Sequence, residues 1–399
     1  MSDLSERVPL QAVRELLAIG QPLPFRILDA QGRLLLNAGH LLAEEAQYES
    51  LLERGAWAER PAVEAERQAR AAASAAGRVA SAHAPSLFDH WTRLLWRFEK
   101  LSRGLAGRHA GPAELDAFMH DLRALVAADA DVALFLCIRQ DDRRFALYPL
   151  THALHCATVA LVSGPQLGWD EHRVASLTGA ALTMNLTILE LQATMAEQGE
   201  PPTARQLREI RAHPAAAAEL LRGLGLADET WLRTVVEHHE QPGGQGYPGG
   251  VAAPCETARV LRAIDVFMAK ISPRAHRPPM APQAAVRQLF QQNAGDALAM
   301  AVIKTLGVHP PGALVKLQSG EIGVAIRRPA RGTHPVVATL SDARGRPTAQ
   351  THRRDTAQPD YAVTGVPDSS ADFQRVVPER VYGAVAFTAP GAPAGDAAP

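Results

Sequence analysis

The sequence predicts a mainly α protein, a helical bundle carried between a small α+β module at the N-terminus and a small β appendage at the C-terminus. Three observations lead there. Residues 112–308 run as successive Ala- and Leu-rich stretches at helical spacing, parted by Gly, Pro and Asp, with little strand character. Ahead of them, Phe25, Ile27, Leu34 and Leu36 alternate on either side of an Asp29-Ala30-Gln31-Gly32 turn, a hairpin signature. Behind them, after His309-Pro310-Pro311-Gly312, short alternating runs with glycine turns take over.

In chain order, residues 1–61 read as the α+β module, its hairpin followed by the helical AEEAQYESLLERGAW. Residues 62–111 read as a helical linker, in which Leu87, Trp91, Leu95, Phe98 and Leu101 form a stripe of helical period. Residues 112–308 are the helical domain and 309–387 the β-rich appendage. The tail, residues 388–399, is linker-like in composition and expected to be disordered. At ~100 to 200 residues per domain, 399 residues leave room for roughly two to four domains.

Forty-one Lys and Arg against 42 Asp and Glu give a net charge of -1, so no basic surplus drives adhesion to nucleic acid or membrane, and neither is expected as a partner. Cys137, Cys156 and Cys255 are too few and too scattered for a disulfide framework or a cysteine-based zinc site, and a reducing, cytoplasmic setting is the expectation. The opening MSDLSERVPL lacks the apolar core of a signal peptide. The uncharged stretch at residues 174–189 is short of the ~20 residues that span a bilayer, and no membrane helix is expected. No P-loop, Ser-His-Asp nucleophile motif or nucleic-acid module stands out. The 15 histidines, gathered in the middle of the chain, are the first functional pointer.

The richest segment is TWLRTVVEHHEQPGGQGYPGG, in which a helix ends in His238-His239-Glu240 and runs into a glycine-rich turn holding Tyr247-Pro248. Adjacent histidines lie ~100° apart around a helix, so both reach one interior only where the centre lies between their faces, as in a polynuclear metal site. An exposed helix end meeting solvent is the plain alternative. In ETARVLRAIDVFMAKISPRAHRP, Leu261, Ile264, Met268 and Ile271 mark the buried face and Asp265 falls on it. A buried carboxylate there needs a metal, an arginine or a hydrogen-bond network. His213 precedes Pro214 at a predicted helix start, and His152 and His155 sit within one turn of each other in YPLTHALHCATVAL. Each alone reads as easily as a core or surface histidine; together they read as ligands.

These residues resemble the HD-GYP domain, the helical metallophosphodiesterase branch of the HD superfamily that hydrolyses the bacterial second messenger cyclic di-GMP, over roughly residues 125–325. The resemblance implies metal ligation by His152, His213, the tandem His238 and His239, and Asp265. It implies that Gly244, Gly246, Tyr247 and Pro248 form the loop that names the family. It places Arg274 and Arg277, with Tyr247, against the dinucleotide, and guanidinium forks suit phosphate oxygens. Bracing of the proline-rich loop is the alternative for both arginines.

At the family's defining His-Asp doublet this chain has Met184-Asn185, followed by Thr187 and Ile188 in place of glycine and lysine. Gly243 stands where an aspartate usually precedes the loop glycines, and Tyr148 where some members carry a glutamate for a third metal. In the family the doublet's aspartate bridges two ions, iron or manganese, that activate a hydroxide. An amide and a thioether are poorer ligands for such cations. The resemblance therefore implies a degenerate site that holds residual iron or manganese on His213, His238 and His239 or, in the alternative, no metal at all. The implied function is a cyclic di-GMP sensor or partner-binding regulator. An active metal-dependent phosphodiesterase with an unusual mononuclear site is one alternative, and a ligand-free scaffold whose loop contacts diguanylate cyclase (GGDEF) domains is another. His152, Asn185, His213, His238, His239 and Asp265 are expected to converge on one pocket.

Overall fold

The computed structural model describes residues 7–17, 21–40, 45–53, 55–76, 86–140, 145–275, 277–329, 332–367, 373, 376–383, 385 and 387. The tail expected to be disordered, 388–399, lies outside them. The chain divides into two compact units, Met1–His83 and Ala84–Pro399.

In the first unit, β1 (Arg7–Pro9), β2 (Ile27–Leu28), β3 (Leu34–Leu36) and β4 (Trp57–Glu59) form an antiparallel sheet in the order β1-β4-β2-β3, accompanied by α1 (Glu45–Glu53) and α2 (Arg60–Ala76). The hairpin forms where the alternation places it. Ile27 pairs with Leu36 and Leu28 with Leu34. The Asp29 carboxylate holds the turn, accepting from the Gln31 and Arg33 amides at 2.9 Å and from Arg33 Nε at 2.7 Å. Phe25, Ile27, Tyr48, Ala58 and Val63 belong to this unit's own core.

The second unit is a helical bundle with a sheet against it. Its helices are α3 (Leu87–Ala106), α4 (Pro112–Ala128), α5 (Ala130–Ile138), α6 (Tyr148–Leu167), α7 (Glu171–Thr183), α8 (Leu189–Glu197), α9 (Ala204–Gly223), α10 (Glu229–Glu237), α11 (Glu256–Ile271), α12 (Pro282–Gln292) and α13 (Ala297–Leu306). Residues 62–111 divide between α2 of the first unit and α3. A reciprocal Ser86–Asp89 capping box starts α3, and Leu87, Trp91, Leu94, Phe98, Leu101 and Leu105 form its buried stripe. Leu95, placed in that stripe from sequence, is only partly buried.

α6 is the central helix, packed by α3, α4, α5, α7, α8, α11 and α13. α7 and α10 approach closely because residue 179 is glycine: a Cβ there would stand 2.1 Å from the Trp231 ring. Trp231 Nε1 then donates to Thr183 Oγ1 at 2.9 Å, which fixes the height of α10 and of the histidines at its end. Two helical stretches, Phe145–Leu167 and Glu171–Glu197, are long and apolar enough to cross a membrane, and most of each is buried inside this bundle.

After α13 come β5 (Leu314–Leu317), β6 (Ile322–Arg327), β7 (Val336–Thr339), β8 (Arg353–Asp355) and β9 (Val363–Gly365), an antiparallel sheet in the order β8-β7-β6-β5-β9, and then α14 (Pro378–Tyr382). The sheet shares the bundle's core: Leu314, Val324, Ile326, Ala338 and Leu340 join the same apolar cluster as α6 and α11. Charge reinforces the join. Asp129 and Asp131, at the start of α5, pair with Arg327 and Arg328 at the end of β6.

Candidate metal centre and cavity

Helices α6, α8, α9 and α11 and the loops after α7 and α10 enclose a cavity of about 210 Å³. Tyr148, His152, Asn185, Gln192, His213, His239, Tyr247, Asp265 and Arg274 give it polar walls, and Ile188, Met195, Ala196, Ile210 and Ala269 apolar ones. A larger cavity, about 750 Å³, opens on another face of α11 beside Arg259 and Arg262. Arg259 is committed to Asp296 at 2.8 Å there. The metal-competent clusters among the described residues lie at the smaller cavity.

One cluster is His213, His238 and His239, whose ligating atoms lie within 4.8 Å of one another. Pro214 is inside α9, not at a helix start as its sequence position suggested; the start is the capping box of Thr203 and Gln206. A proline in mid-helix has no N–H for the carbonyl four residues back, here that of Ile210. The His213 Nδ1–H takes that carbonyl instead. His238 sits where α10 ends, and its Nδ1–H donates to the Val235 carbonyl in the open last turn at 2.7 Å.

Both rings therefore turn Nε2 toward each other, 3.3 Å apart. Burial, with the His238 ring alongside, pushes His213 down to about 3, and burial holds His238 below its ordinary value despite the Asp265 carboxylate. Two neutral rings with Nδ1 protonated present two facing lone pairs and no proton between them. A divalent cation satisfies both, and backbone carbonyls on Nδ1 are the usual outer support of ligating histidines. His239 closes the group, its ring 4.0 Å from that of His238 and 4.6 Å from that of Tyr247.

The second cluster is His152, Cys156 and Asp265. His152 Nε2 lies 2.8 Å from Asp265 Oδ1 and 3.6 Å from Cys156 Sγ. Burial opposes ionisation of Asp265, but the hydrogen bond from His152 and the surrounding imidazoles outweigh it and hold the carboxyl well below its usual range. His152 Nδ1 is buried with no partner among the described residues, so this ring lacks the backbone support that His213 and His238 have.

Asn185 is buried and lines the same cavity as His152, His213, His239 and Asp265, just before a 3-10 turn at Leu186–Ile188. Met184 is fully buried in the apolar core and lines no part of the cavity. Ile188 makes an apolar wall. The histidine trio thus fits a single cation, and Asp265 is the one carboxylate among the described residues that line the cavity.

The GYP loop is held by close backbone contact. A Cβ on Gly246 would meet Glu240 Cα at 2.3 Å and Gln241 N at 2.5 Å, and Gly243 and Gly244 adopt positive φ of 85° and 76°. Glu240, the last residue of the histidine tandem, is no ligand: its buried carboxylate accepts from the Gly249 and Val251 amides at 2.6 and 3.0 Å. The tandem's position past the helix end, and the i,i+4 spacing of Cys156 from His152, were the available sequence signals for Glu240 and Cys156. His155 is half-buried with its Nδ1 shielded from solvent, and desolvation beside His152 pushes it down to about 3; it does not line the cavity.

The two arginines part company. Arg274 lines the cavity, donates to the Tyr148 hydroxyl and stacks over that ring at 4.4 Å. Burial pushes the Tyr148 phenol up to about 12 despite the guanidinium, so it stays neutral. Arg277 is exposed, lines no part of the cavity, and donates to the Ala269 carbonyl at the end of α11.

Residues 136–299 match the family model described as HD domain. Segments of the chain are similar to three curated proteins. They are 30% identical over 126 residues to cyclic di-GMP phosphodiesterase PA4108 of Pseudomonas aeruginosa, covering 31% of this chain and 30% of that protein. They are 28% identical over 141 residues to the cyclic di-GMP phosphodiesterase response regulator RpfG of Xanthomonas campestris pv. campestris, covering 34% and 36%. The figures for cyclic di-GMP phosphodiesterase PdeB of Borreliella burgdorferi are 22% over 148 residues, covering 37% and 39%. The matches thus span between 30% and 39% of these relatives' lengths. Among solved structures, Bd1817, an HDG"Y"P protein from Bdellovibrio bacteriovorus, superposes with a TM-score of 0.46 at 12% identity, over 75% of this chain and 98% of that one.

Proposed function

We propose that this chain is a cyclic di-GMP signalling protein whose HD-domain cavity binds the dinucleotide, or a related one, without hydrolysing it. The single observation that supports this is Asn185, an amide on the cavity wall at the position where the HD-GYP resemblance implies the carboxylate shared by two ions that act together on one water. In two-metal phosphodiesterases the ions activate that water and stabilise the charge that develops on phosphorus. Here the chain's own residues offer recognition. Arg274 and Tyr148 present a guanidinium and a neutral phenol to phosphate oxygens, and Tyr247 supplies an aromatic edge beside His239.

The cavity is smaller than the ~300 Å³ at which small-molecule pockets usually begin, so it takes one phosphodiester with its sugar while the remainder of the dinucleotide lies along the rim. The two metal-competent clusters favour a second reading, a metal-dependent phosphodiesterase. Titration calorimetry with cyclic di-GMP, with product analysis in added iron or manganese, separates the readings. Binding without product supports the sensor. Turnover carries the phosphodiesterase, and no heat at micromolar concentrations leaves a scaffold that contacts other signalling proteins such as diguanylate cyclases.

A further inference from the structure

We propose that His152, Cys156 and Asp265 form a zinc site in which the Cys156 thiolate is a ligand, so that this half of the cavity selects zinc over iron(II) and manganese(II). The inference rests on the cavity proposed above as the functional site, and not on dinucleotide binding. Cys156 follows His152 by one helical turn on α6, which puts both side chains on one face of that helix, toward α11. Asp265 reaches the same point from α11, and the three ligating atoms lie within 4.8 Å of one another. Sulfur, nitrogen and carboxylate oxygen from one helical turn and a neighbouring helix form a donor set that zinc accepts at four-coordinate sites.

Ligand chemistry decides the choice of ion. Manganese and magnesium favour oxygen donors, and thiolate favours zinc. Met184 and Asn185 contribute no second carboxylate to this half of the cavity, so Asp265 is the one oxygen donor set against the preference that the sulfur imposes. When the ion binds, the thiol proton leaves to solvent and the Sγ–metal bond replaces the S–H bond. Sequence reading set the three cysteines aside as too scattered for a cysteine zinc site, and that holds for several cysteines together; a single thiolate completed by His and Asp is a different case.

Chelator-stripped full-length chain is reconstituted with cobalt(II) and its absorption spectrum recorded. A sulfur-to-cobalt charge-transfer band in the near ultraviolet is expected for the wild type and for Cys255→Ser, and its loss in Cys156→Ser, with the ligand-field bands of the histidine trio retained. On wild type alone, zinc-edge X-ray absorption is expected to show a sulfur shell at about 2.3 Å. Elemental analysis after incubation with equal zinc and manganese is expected to find zinc. Cobalt binding without the charge-transfer band, a zinc spectrum with only nitrogen and oxygen neighbours, or displacement of zinc by manganese overturns the proposal. Failure to bind cyclic di-GMP strikes the functional reading alone and leaves these readouts as they are.

Discussion

The Nε2 atoms of His213 and His238 face each other at 3.3 Å while both Nδ1 atoms are held by backbone carbonyls. Two buried lone pairs in that arrangement are a cost to the fold that a cation removes. Divalent cations should therefore raise the melting temperature. At a hundredfold excess over the dissociation constant the gain is about 2.7 kcal/mol, a shift of several degrees for a unit of this size. His213→Ala should remove this cluster's share of the rise. A variant that still gains the same increment places the cation elsewhere.

Pro214 is the device that frees the Ile210 carbonyl for His213. In Pro214→Ala the restored N–H competes for that carbonyl and the helix gains propensity, by up to ~3 kcal/mol. The variant should melt higher than wild type yet bind cation about tenfold more weakly, as loss of outer support to a ligating histidine does. Stability and affinity moving together would show that the proline serves only the helix.

Arg274 and Arg277 should respond differently to alanine. Arg274 faces the cavity, and losing one charge-assisted contact costs ~1.5 to 3 kcal/mol, so calorimetric affinity for cyclic di-GMP should fall roughly ten- to a hundredfold. Arg277 holds the Ala269 carbonyl at the end of α11, so Arg277→Ala should lower the melting temperature and leave affinity nearly unchanged. Equal losses of affinity in both variants would restore the paired role that the family resemblance implies.

Much of the site was legible because its residues come from short, unusual strings. His238-His239, the glycines around Tyr247, and an aspartate on an apolar helix face stand out from any background, and the structure brings them to one cavity. What stayed hidden depends on distance in the fold. Cys156 reads as one more small residue of an apolar helix until α11 is laid beside it. Pro214 reads as a helix start because proline favours the first helical position, and only the carbonyl it releases shows why it stands in mid-helix. The C-terminal strands showed their β character in their alternation, but nothing in them told how they pair or that their inner face completes the core of the bundle.

The join between sheet and bundle should carry an acid-side signature. Burial of Asp129 would raise its carboxyl, but the Arg327 guanidinium and the Val132 and Asp131 amides more than offset this and hold it below its ordinary value. A depressed carboxyl gives stability that is fully present above the unfolded value of ~3.9 and is lost as pH falls through the folded value. Asp129→Asn keeps the helix cap and removes the charge. Its stability should fall at neutral pH and vary less steeply with pH on the acid side than wild type, as read by urea melts from pH 6 downward. Parallel wild-type and variant profiles would show that Arg327 contributes nothing through charge.

Asn185→Asp is nearly isosteric and adds a carboxylate to the wall of the cavity that holds the metal-competent clusters. Without a cation it adds a negative charge to a buried wall that already holds Asp265, which like-charge repulsion and desolvation make unfavourable. The stripped variant should therefore melt below stripped wild type, by about 1 to 3 kcal/mol in stability. A divalent cation reverses the sign, because the new carboxylate then gains a ligand instead of a like neighbour. Manganese, which barely favours the amide, should raise the variant's melting temperature more than that of wild type. Met184→His adds less, since Met184 faces the apolar core and a ring there must first reach the cavity. An Asn185→Asp chain that melts alike with and without manganese would show that residue 185 does not stand where a bridging ligand is needed, and with it the reading of this cavity as a site that lost its two-metal chemistry at that position would fall.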